Sequence, residues 1–381
     1  FHHGASYIEH LELINCIKNK KKPLVDCQKG LDSIILGLAA QESIQTGKPV
    51  FLENFLTYNM AYRSIKDMPQ VGFGLWKVPK DVCSNTVFKA IELGYRHLDS
   101  ASDYGNEKEV GRGIKAALEK GLCRREELWI TSKLWNTYHH PDHVQPALEK
   151  TLQDLQLDYL DLYMIHFPIS LKFVPFENRY PPEWFNDPDS PEPKMISSRV
   201  PLSETWQAME SLKEDNLTKH IGICNYSSGL LHDLMNYCET KPEILQIESH
   251  PYLTQEKLIR LAKDYGLEVT AFSPLGSISY EELGGAVESE SILRNKTVQT
   301  IAKDLGITPA QLILGWGLNR GTSIVVKSSN EIRMKENLAA SRIKLEQSII
   351  DKISDLNINK RYNDPGIFCE DAFNTFFPIY E

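Results

Sequence analysis

From about residue 57 onward, short apolar segments alternate with amphipathic ones, and this alternation limits the fold more than any other feature of the chain. Neighbouring parallel strands must be joined by a crossover, which is usually a helix. Eight strand-and-helix units in succession are what a closed (β/α)8 TIM barrel needs, so we predict an α/β fold of this kind. The predicted strands cover residues 71–76, 97–100, 128–134, 159–166, 220–225, 244–248, 268–273 and 323–327.

The segments between the predicted strands include helices and two long loops. Residues 167–201, which are rich in proline and aromatic residues, and residues 275–291 are long enough to predict lids or binding loops. We expect residues 57–70 to form a hairpin that closes the bottom of the barrel. Helical periodicity is found over residues 82–93, 141–155, 203–214 and 254–265.

Composition excludes several classes of partner. The formal charge of −9 leaves no basic surface for nucleic acid. No apolar run approaches the ~20 residues that span a membrane. The seven cysteines form no CxxC pair, so we expect neither a metal site nor a disulfide framework. Reduced thiols, without a readable signal peptide, predict a cytoplasmic protein.

Four polar residues follow predicted strands in a pattern that suits acid catalysis on a carbonyl group. Asp99, Lys133 and His166 each close a strand, and Tyr104 lies in the loop after the second one. The carboxyl ends of barrel strands are where such a fold builds its active site. Taken alone, a strand-end Asp–Lys pair or a buried histidine is more often structural. The combination favours an enzyme.

Each of these four residues has an expected role. A phenol with a pKa of about 10 is a weak acid at neutral pH, and a buried ammonium group nearby lowers that pKa. We therefore assign Tyr104 as the general acid, Lys133 as the group that tunes it, and Asp99 as the partner that keeps Lys133 charged. His166 is expected to hydrogen-bond and orient the substrate carbonyl.

Residues 69–381 resemble the aldo-keto reductases, and within that superfamily most closely the yeast-type xylose reductases. The spacings of 5, 29 and 33 residues between Asp99, Tyr104, Lys133 and His166 agree with that family. The matching segments are VGFG (71–74), DYGNEKEVG (103–111), SKLWN (132–136), HHPD (139–142), IHFP (165–168), FVPFE (173–177), YPP (180–182), HPYLTQ (250–255) and NDP (363–365).

The resemblance implies a nicotinamide cofactor across the barrel mouth, which we expect to be NADPH. It assigns Asn225 and Gln246 to the carboxamide and Phe272 to the face of the nicotinamide ring. The other residues that it assigns are Ser273, Leu275 and Ser277 at the diphosphate, Lys327, Ser328 and Arg333 at the adenosine 2′-phosphate, and Glu336 and Asn337 near the adenine. Without the resemblance, Lys327 and Arg333 would be interpreted as solvated charges at the start of a helix.

Three departures from the family pattern bear on the choice of cofactor. Cys224 stands where the family usually has serine, and Phe272 replaces the usual tyrosine. Ser329 follows Lys327-Ser328 where several xylose reductases have asparagine. These changes leave the reaction class intact, but they leave NADH open as an alternative to NADPH.

The expected substrate is the open-chain aldehyde of an aldose, which is reduced to an alditol. Asp103 and Asn363 match positions that meet sugar hydroxyls in xylose reductases, although Asn363 alone would suit a turn before Asp-Pro. Aromatic residues at the mouth, namely Trp76, Phe167 and Trp184, would suit an apolar aldehyde equally well. A phosphorylated or nucleotide-linked sugar, a general aldehyde or ketone reductase, and a cofactor-binding regulatory subunit with little turnover stay open as alternatives.

Residues 1–56 read as a helical extension that precedes the barrel domain of residues 57–381. Two amphipathic helices, predicted over residues 7–17 and 28–46, are too few to bury their own apolar faces. The segment resembles the C-terminal end of the Gfo/Idh/MocA sugar oxidoreductases, and an unrelated helical hairpin is the alternative. We expect these helices to dock on the barrel, on a second copy, or on an upstream oxidoreductase domain fused to this chain.

Overall fold

The computed structural model describes residues 63–187 and 189–380, together with residues 40, 43 and 44. The chain divides into two compact units, residues 1–63 and residues 64–381. The predicted N-terminal helices therefore lie outside the described residues, except that residues 40, 43 and 44 are helical. The domain boundary near residue 56 and the origin of that segment stay predictions.

Eight parallel strands form a closed barrel, which confirms the predicted fold. Each strand pairs with the next one along the chain, and the last pairs with the first. Several predicted strands extend past the observed ends. Asn225 and Ser273, for example, have positive φ angles of 64° and 48°, which end the extended backbone before them. The strands are β1 (Val71–Gly74), β2 (His97–Asp99), β3 (Trp129–Leu134), β4 (Leu160–Ile165), β5 (Thr218–Cys224), β6 (Ile244–Glu248), β7 (Glu268–Phe272) and β8 (Ser323–Val326).

Helices separate the strands, as the alternation predicts. The helix predicted over residues 141–155 has the predicted bounds, whereas the one predicted over 254–265 begins later because Gln255 has a left-handed backbone with φ 53°. The described α-helices are α1 (Lys80–Glu92), α2 (Glu107–Glu119), α3 (Pro141–Leu155), α4 (Leu202–Glu214), α5 (Ser228–Tyr237), α6 (Glu256–Asp264), α7 (Lys296–Leu305), α8 (Pro309–Asn319), α9 (Glu331–Ala339), α10 (Gln347–Ser354) and α11 (Pro365–Phe373). None of these helices, within the described part of the chain, is long and apolar enough to cross a bilayer.

The amino end of the barrel interior is closed by packed side chains. Trp129 stacks on His220 with ring centroids 5.0 Å apart. Met68 is buried in the same layer, against Trp129 and Met164. The expected hairpin is not found over its described half, residues 63–70, which contains a 3-10 helix (Ile65–Asp67) and no strand. The other half of the expected hairpin, residues 57–62, lies outside the described residues.

Both long loops form local structure near the carboxyl end of the barrel. In the first loop, Leu171 forms an isolated antiparallel bridge with Ser197. Leu171 and Met195 pack on Cys369 of α11, which ties this loop to the C-terminal helix. The second loop contains three short 3-10 helices, Gly276–Ser279, Glu281–Leu283 and Glu288–Glu290. Both loops therefore lie beside the strand ends that were predicted to carry the chemistry.

Candidate active site

Asp99, Tyr104 and Lys133 come together as a buried cluster at the carboxyl ends of β2 and β3. The Nζ atom of Lys133 lies 2.6 Å from Oδ1 of Asp99 and 2.7 Å from the carbonyl oxygen of Ser100. It also lies 3.3 Å from the hydroxyl oxygen of Tyr104. A 3-10 helix (Ser102–Tyr104) carries the tyrosine back over the strand, and Gly105 ends that helix with φ 67°. The three predicted neighbours are therefore in direct contact.

Burial changes one part of the predicted electrostatics. Desolvation raises the pKa of the Tyr104 phenol well above its usual value, and Lys133 lowers it by a smaller amount. The predicted net lowering of this pKa is therefore wrong, because the phenol loses more from leaving water than it gains from the ammonium. The hydroxyl group stays protonated at neutral pH.

Lys133 keeps its charge despite being almost completely buried. Burial lowers the pKa of its ammonium group, but Asp99, Tyr104 and Cys224 together raise it, and the net direction is upward. The second carboxylate oxygen of Asp99 accepts a hydrogen bond of 2.8 Å from Nε2 of Gln246. Both oxygens of Asp99 are thus used, one by the ammonium group and one by an amide in the middle of β6.

His166 follows β4 and lies beside this cluster. Its ring meets the Tyr104 ring edge-on at 5.9 Å and stacks on Phe167 at 5.0 Å. Its Nδ1 atom is buried and has no hydrogen-bond partner in the described part of the chain. Burial, with a smaller contribution from Lys133, holds the pKa of His166 well below its usual value. The imidazole is therefore neutral.

The residues expected at the carboxamide of the cofactor are adjacent. The Nδ2 atom of Asn225 donates to the carbonyl oxygen of His166 at 2.9 Å and lies 3.2 Å from Sγ of Cys224. The same sulfur atom lies 3.7 Å from Oε1 of Gln246. The Oδ1 atom of Asn225 accepts a hydrogen bond of 2.6 Å from the hydroxyl group of Tyr380. Two side-chain amides and a thiol therefore form one polar patch beside Lys133.

The residues expected along the nicotinamide ring and the diphosphate follow β7. Phe272 ends that strand with a half-buried ring, which suits a flat aromatic ligand. The hydroxyl group of Ser273 is hydrogen-bonded to that of Tyr280 at 2.8 Å, and Leu275 packs against the core. Ser277 is buried and donates to Glu281 at 3.2 Å. Both serine hydroxyls are engaged within the chain, so their roles at a diphosphate stay predictions.

The residues expected at the adenosine 2′-phosphate lie at the start of α9. Lys327 and Arg333 are exposed there, and Ser328 is half-buried. Asn330 caps the helix and accepts from the backbone N–H of Ile332 and Arg333. Glu336 is half-buried and Asn337 is buried on the same helix. Two cations near a helix N-terminus are a donor set that fits a phosphate group, so these residues fit the expected NADPH.

The residues predicted to meet the substrate fall into two groups. Phe167 and Trp184 form an aromatic wall next to His166, with ring centroids 5.1 Å apart. Trp76 lies against Tyr280 instead, at 5.6 Å. Asp103 is half-buried, and desolvation together with Glu183 raises its pKa to about 7.

Asn363 is held in place through its backbone. Both oxygens of the buried Glu248 carboxylate are used here, because Oε1 accepts from the N–H of Tyr362 at 2.8 Å and Oε2 from that of Asn363 at 3.0 Å. The amide side chain of Asn363 is half-buried and makes no hydrogen bond within the described residues. It is therefore available to a ligand.

Sequence reasoning missed several residues of this region. Trp135 contacts both His166 and Trp184, with ring centroids 5.3 and 4.8 Å away. Glu248 ends β6 as Asp99 ends β2, and that position was a signal that could have identified it. Trp135 lies with Lys133 in the SKLWN segment (132–136), so it too could have been found from the sequence. Tyr380, far from Asn225 in sequence, carries no such signal.

Comparison with known proteins gives a consistent result. Residues 70–358 match the Aldo/keto reductase family. The NAD(P)H-dependent D-xylose reductase of Kluyveromyces lactis is 42% identical over 326 residues, which cover 84% of this chain and 99% of that protein. The enzyme of the same name from Scheffersomyces stipitis is 45% identical over 301 residues, covering 78% of this chain and 94% of that one. The solved aldose reductase of Schistosoma japonicum is similar at 36% identity, with a TM-score of 0.69, covering 78% of this chain and 91% of that one.

Proposed function

Because the chain belongs to the Aldo/keto reductase family, we propose that it reduces the open-chain aldehyde of an aldose such as D-xylose to the corresponding alcohol. It is an NADPH-dependent oxidoreductase. The observation that carries the proposal is the buried contact of Lys133 with both Asp99 and Tyr104. A charged ammonium group beside a protonated phenol is what proton delivery to a carbonyl oxygen requires.

Tyr104 is the proposed general acid. Its hydroxyl group is protonated at neutral pH and gives its proton to the carbonyl oxygen as negative charge develops there. Lys133, 3.3 Å away, stabilises the phenolate that is left behind, and Asp99 keeps that lysine charged and in position. NADPH, when bound, supplies the hydride.

His166 is the proposed orienting residue. A neutral imidazole carries one N–H, which can donate to the carbonyl oxygen without competing with Tyr104 as an acid. Its contacts with Trp135 and Phe167 restrict the orientation of the ring. In this proposal His166 fixes the position of the aldehyde and Tyr104 provides the proton.

The cofactor is held by three groups of side chains in this proposal. Asn225 and Gln246 bind the carboxamide, and Phe272 supports the ring. The cations Lys327 and Arg333 bind the adenosine 2′-phosphate, because a guanidinium and an ammonium together suit a phosphate dianion. Ser273, Leu275, Ser277, Ser328, Glu336 and Asn337 complete the predicted set.

The preference for an aldose depends on two polar side chains. Asp103 and the unpaired amide of Asn363 would read sugar hydroxyls beside the aromatic wall of Phe167 and Trp184. Such groups discriminate strongly, because a substrate without the hydroxyl leaves them unpaired. A sugar that also carries a phosphate or nucleotide is the second substrate class to test.

The test is NADPH oxidation by the purified chain with D-xylose, D-xylose 5-phosphate and benzaldehyde in parallel, and the Tyr104→Phe variant as the control for contaminating reductases. Turnover of xylose by the wild type but not by the variant supports the proposal. Turnover of the phosphate ester alone moves the substrate to phosphorylated sugars, and turnover of benzaldehyde alone makes the chain a general aldehyde reductase. Bound NADPH without turnover of any substrate would favour a regulatory subunit. Repeating the series with NADH measures the cofactor preference.

We propose that residues 1–56 form a helical extension, separate from the barrel domain of residues 57–381. A native mass well above the 43.5 kDa of this chain would indicate an upstream fused domain or self-association. Denaturing mass measurement separates the two, because only a fusion keeps the larger mass after unfolding.

A further inference from the structure

Tyr380 reaches the residue to which we assign the nicotinamide carboxamide. Its hydroxyl group donates to Oδ1 of Asn225 at 2.6 Å, although 155 positions separate the two residues in sequence. The other end of the Asn225 amide is already used, because Nδ2 donates to the carbonyl oxygen of His166. The Oδ1 atom is thus the acceptor that Asn225 offers to a ligand, and Tyr380 lies on it.

A second contact holds the same ring. The guanidinium group of Arg361 lies over the ring of Tyr380, 3.7 Å from its centroid. Arg361 is fixed in turn by Glu248, whose Oε2 lies 3.6 Å from its Nη1. The neighbouring Ile379 packs against the barrel core. The end of the chain is therefore seated by groups from β5, β6 and the segment before α11.

An amide ligand and Tyr380 compete for the space at one atom. A carboxamide that binds Asn225 through its NH2 group must donate to Oδ1. That oxygen can accept two hydrogen bonds, so the exclusion comes from the phenol group, which the 2.6 Å contact holds against Oδ1. The phenol ring adds bulk beside that oxygen. None of the contacts of Tyr380 within the described residues involves the start of α9, where the adenosine end is expected to bind. The competition is therefore confined to the nicotinamide half.

We propose that Tyr380 is a displaceable residue of the nicotinamide subsite, whose hydroxyl group occupies the Asn225 acceptor in the free protein and must leave before the carboxamide binds. This inference rests on the proposed cofactor function and on Asn225 as a ligand of the carboxamide. It makes the affinity for the whole cofactor lower than the binding residues alone would give, because part of the binding free energy is used to displace the tail.

The experiment is a calorimetric titration with two ligands, NADPH and 2′-phosphoadenosine 5′-diphosphoribose, which lacks the nicotinamide. Tyr380→Phe removes the hydroxyl group and keeps the ring, and Tyr380→Ala removes both. Phe376→Leu is the matched control, because Phe376 lies in the same tail and is 76% exposed. Loss of one neutral hydrogen bond in the free protein predicts a Kd for NADPH about three- to tenfold lower in Tyr380→Phe. Tyr380→Ala should gain at least as much, and the Kd of the nicotinamide-free ligand should stay unchanged throughout.

Each other outcome has a distinct meaning. An equal or higher Kd for NADPH in both Tyr380 variants would overturn the inference, since the tyrosine would then share the site or help to build it. An equal gain for both ligands would also overturn it, because the effect would not be specific to the carboxamide. If the wild type and the variants all failed to bind NADPH, the proposed function would fall and this inference with it. Thermal unfolding of each variant checks that the fold is intact.

Discussion

Among the buried histidines of the barrel, His97 and His166 lie near opposite ends and are surrounded differently. His97 in β2 has both ring nitrogens engaged, with Nδ1 3.2 Å from the carbonyl oxygen of Pro69 and Nε2 3.3 Å from the hydroxyl group of Thr131. His166, at the carboxyl end, has a buried Nδ1 without a partner in the described chain. Burial lowers the pKa of both, so both are neutral. A histidine with both ring nitrogens engaged stabilises the fold, whereas a buried ring nitrogen without a partner has a cost that the fold alone does not explain.

A third histidine shows that a missing partner is not sufficient evidence of function. His139, in the loop before α3, has no partner for either ring nitrogen among the described residues, and it is 0% exposed. His166 is 7% exposed and touches Tyr104 and Trp135. Access to a ligand and contact with the proton donor therefore separate the two. The following predictions test this distinction between the reactive cluster and the structural interior.

The largest effect is expected for Tyr104→Phe, which removes the proton donor and keeps the ring. We expect kcat/KM for the aldose to fall on the order of 10²–10⁴-fold, because general acid catalysis contributes about that much. The Kd of NADPH should change less than twofold, since the hydroxyl group does not hold the cofactor. Steady-state rates and a binding titration measure both. Retained turnover would refute the assignment of Tyr104 as the acid.

Lys133→Met should damage both stability and catalysis. It leaves the Asp99 carboxylate buried at 3% exposure without its cation, which costs about 3–5 kcal/mol for a broken buried pair. Urea unfolding measures the loss. The double variant Asp99→Asn, Lys133→Met removes the unpaired charge and should recover most of the stability, but none of the activity. If activity returned with stability, the pair would be structural only.

His166→Asn and His97→Asn form a matched pair across the two ends of the barrel. Loss of the His166 contact to the carbonyl group should lower kcat/KM about 10²-fold, as removal of one transition-state donor does elsewhere. Its free energy of unfolding should change little. His97→Asn should instead cost about 1–3 kcal/mol of stability, with the rate nearly unchanged, because buried partners lose their hydrogen bonds. A loss of stability in His166→Asn together with a loss of rate in His97→Asn would contradict the assignment of His166 to catalysis and of His97 to the fold.

A smaller effect is expected at the edge of the site. Asn363→Ala removes one neutral hydrogen bond to the sugar, so kcat/KM for D-xylose should fall about tenfold while that for benzaldehyde stays within twofold. Phe368→Ala, at a 48% exposed position on the adjoining α11, controls for general disturbance of this segment. Equal losses on both substrates would argue that Asn363 shapes the loop and does not read hydroxyl groups.

The sequence pattern predicted the barrel and the central cluster because both follow from local rules. A strand buried on both faces is mostly apolar, as Leu160–Ile165 is apart from Asp161, whose carboxylate is paired with Arg125. The polar residue after such a strand then lies at the barrel mouth. The position of Asp99 relative to Lys133 follows from adjacent parallel strands. Neighbouring strand ends are fixed by the topology, so their side chains can be paired without a structure.

Other features depend on distances that no local pattern encodes. The net direction of the Tyr104 pKa shift is a balance between desolvation and the attraction of Lys133, and it reverses with the degree of burial. The burial of Met68 beside Trp129 and Met164 likewise depends on residues that are distant in sequence, and the pattern of residues 63–70 does not encode it. Tyr380 contacts Asn225 because the segment after α11 returns to the barrel mouth, and no local sequence pattern predicts the course of that segment.

The smallest expected effect concerns His139 and its dependence on pH. Burial lowers the pKa of His139 to about 3 from an ordinary value of 6.5. Below pH 6.5 the unfolded chain therefore takes up a proton that the folded chain refuses, and the folded state loses stability as the pH falls toward 3. His139→Phe removes the contribution of this histidine to the pH dependence of stability and keeps the contributions of His97 and His166.

Urea unfolding of the wild type and His139→Phe at pH 7.5, 6 and 5 tests this expectation. The difference in the free energy of unfolding should move in favour of the variant by about 1.4 kcal/mol per pH unit once the pH is well below 6.5, and stay constant above it. The rate at pH 7 should stay within twofold of the wild type, unlike that of His166→Asn. A constant difference at every pH would mean that the folded chain protonates His139 readily, and its missing partners would then carry no cost. A large loss of the reduction rate in His139→Phe would mean that His139 contributes to catalysis as His166 does. Access to a ligand would then not separate the two histidines.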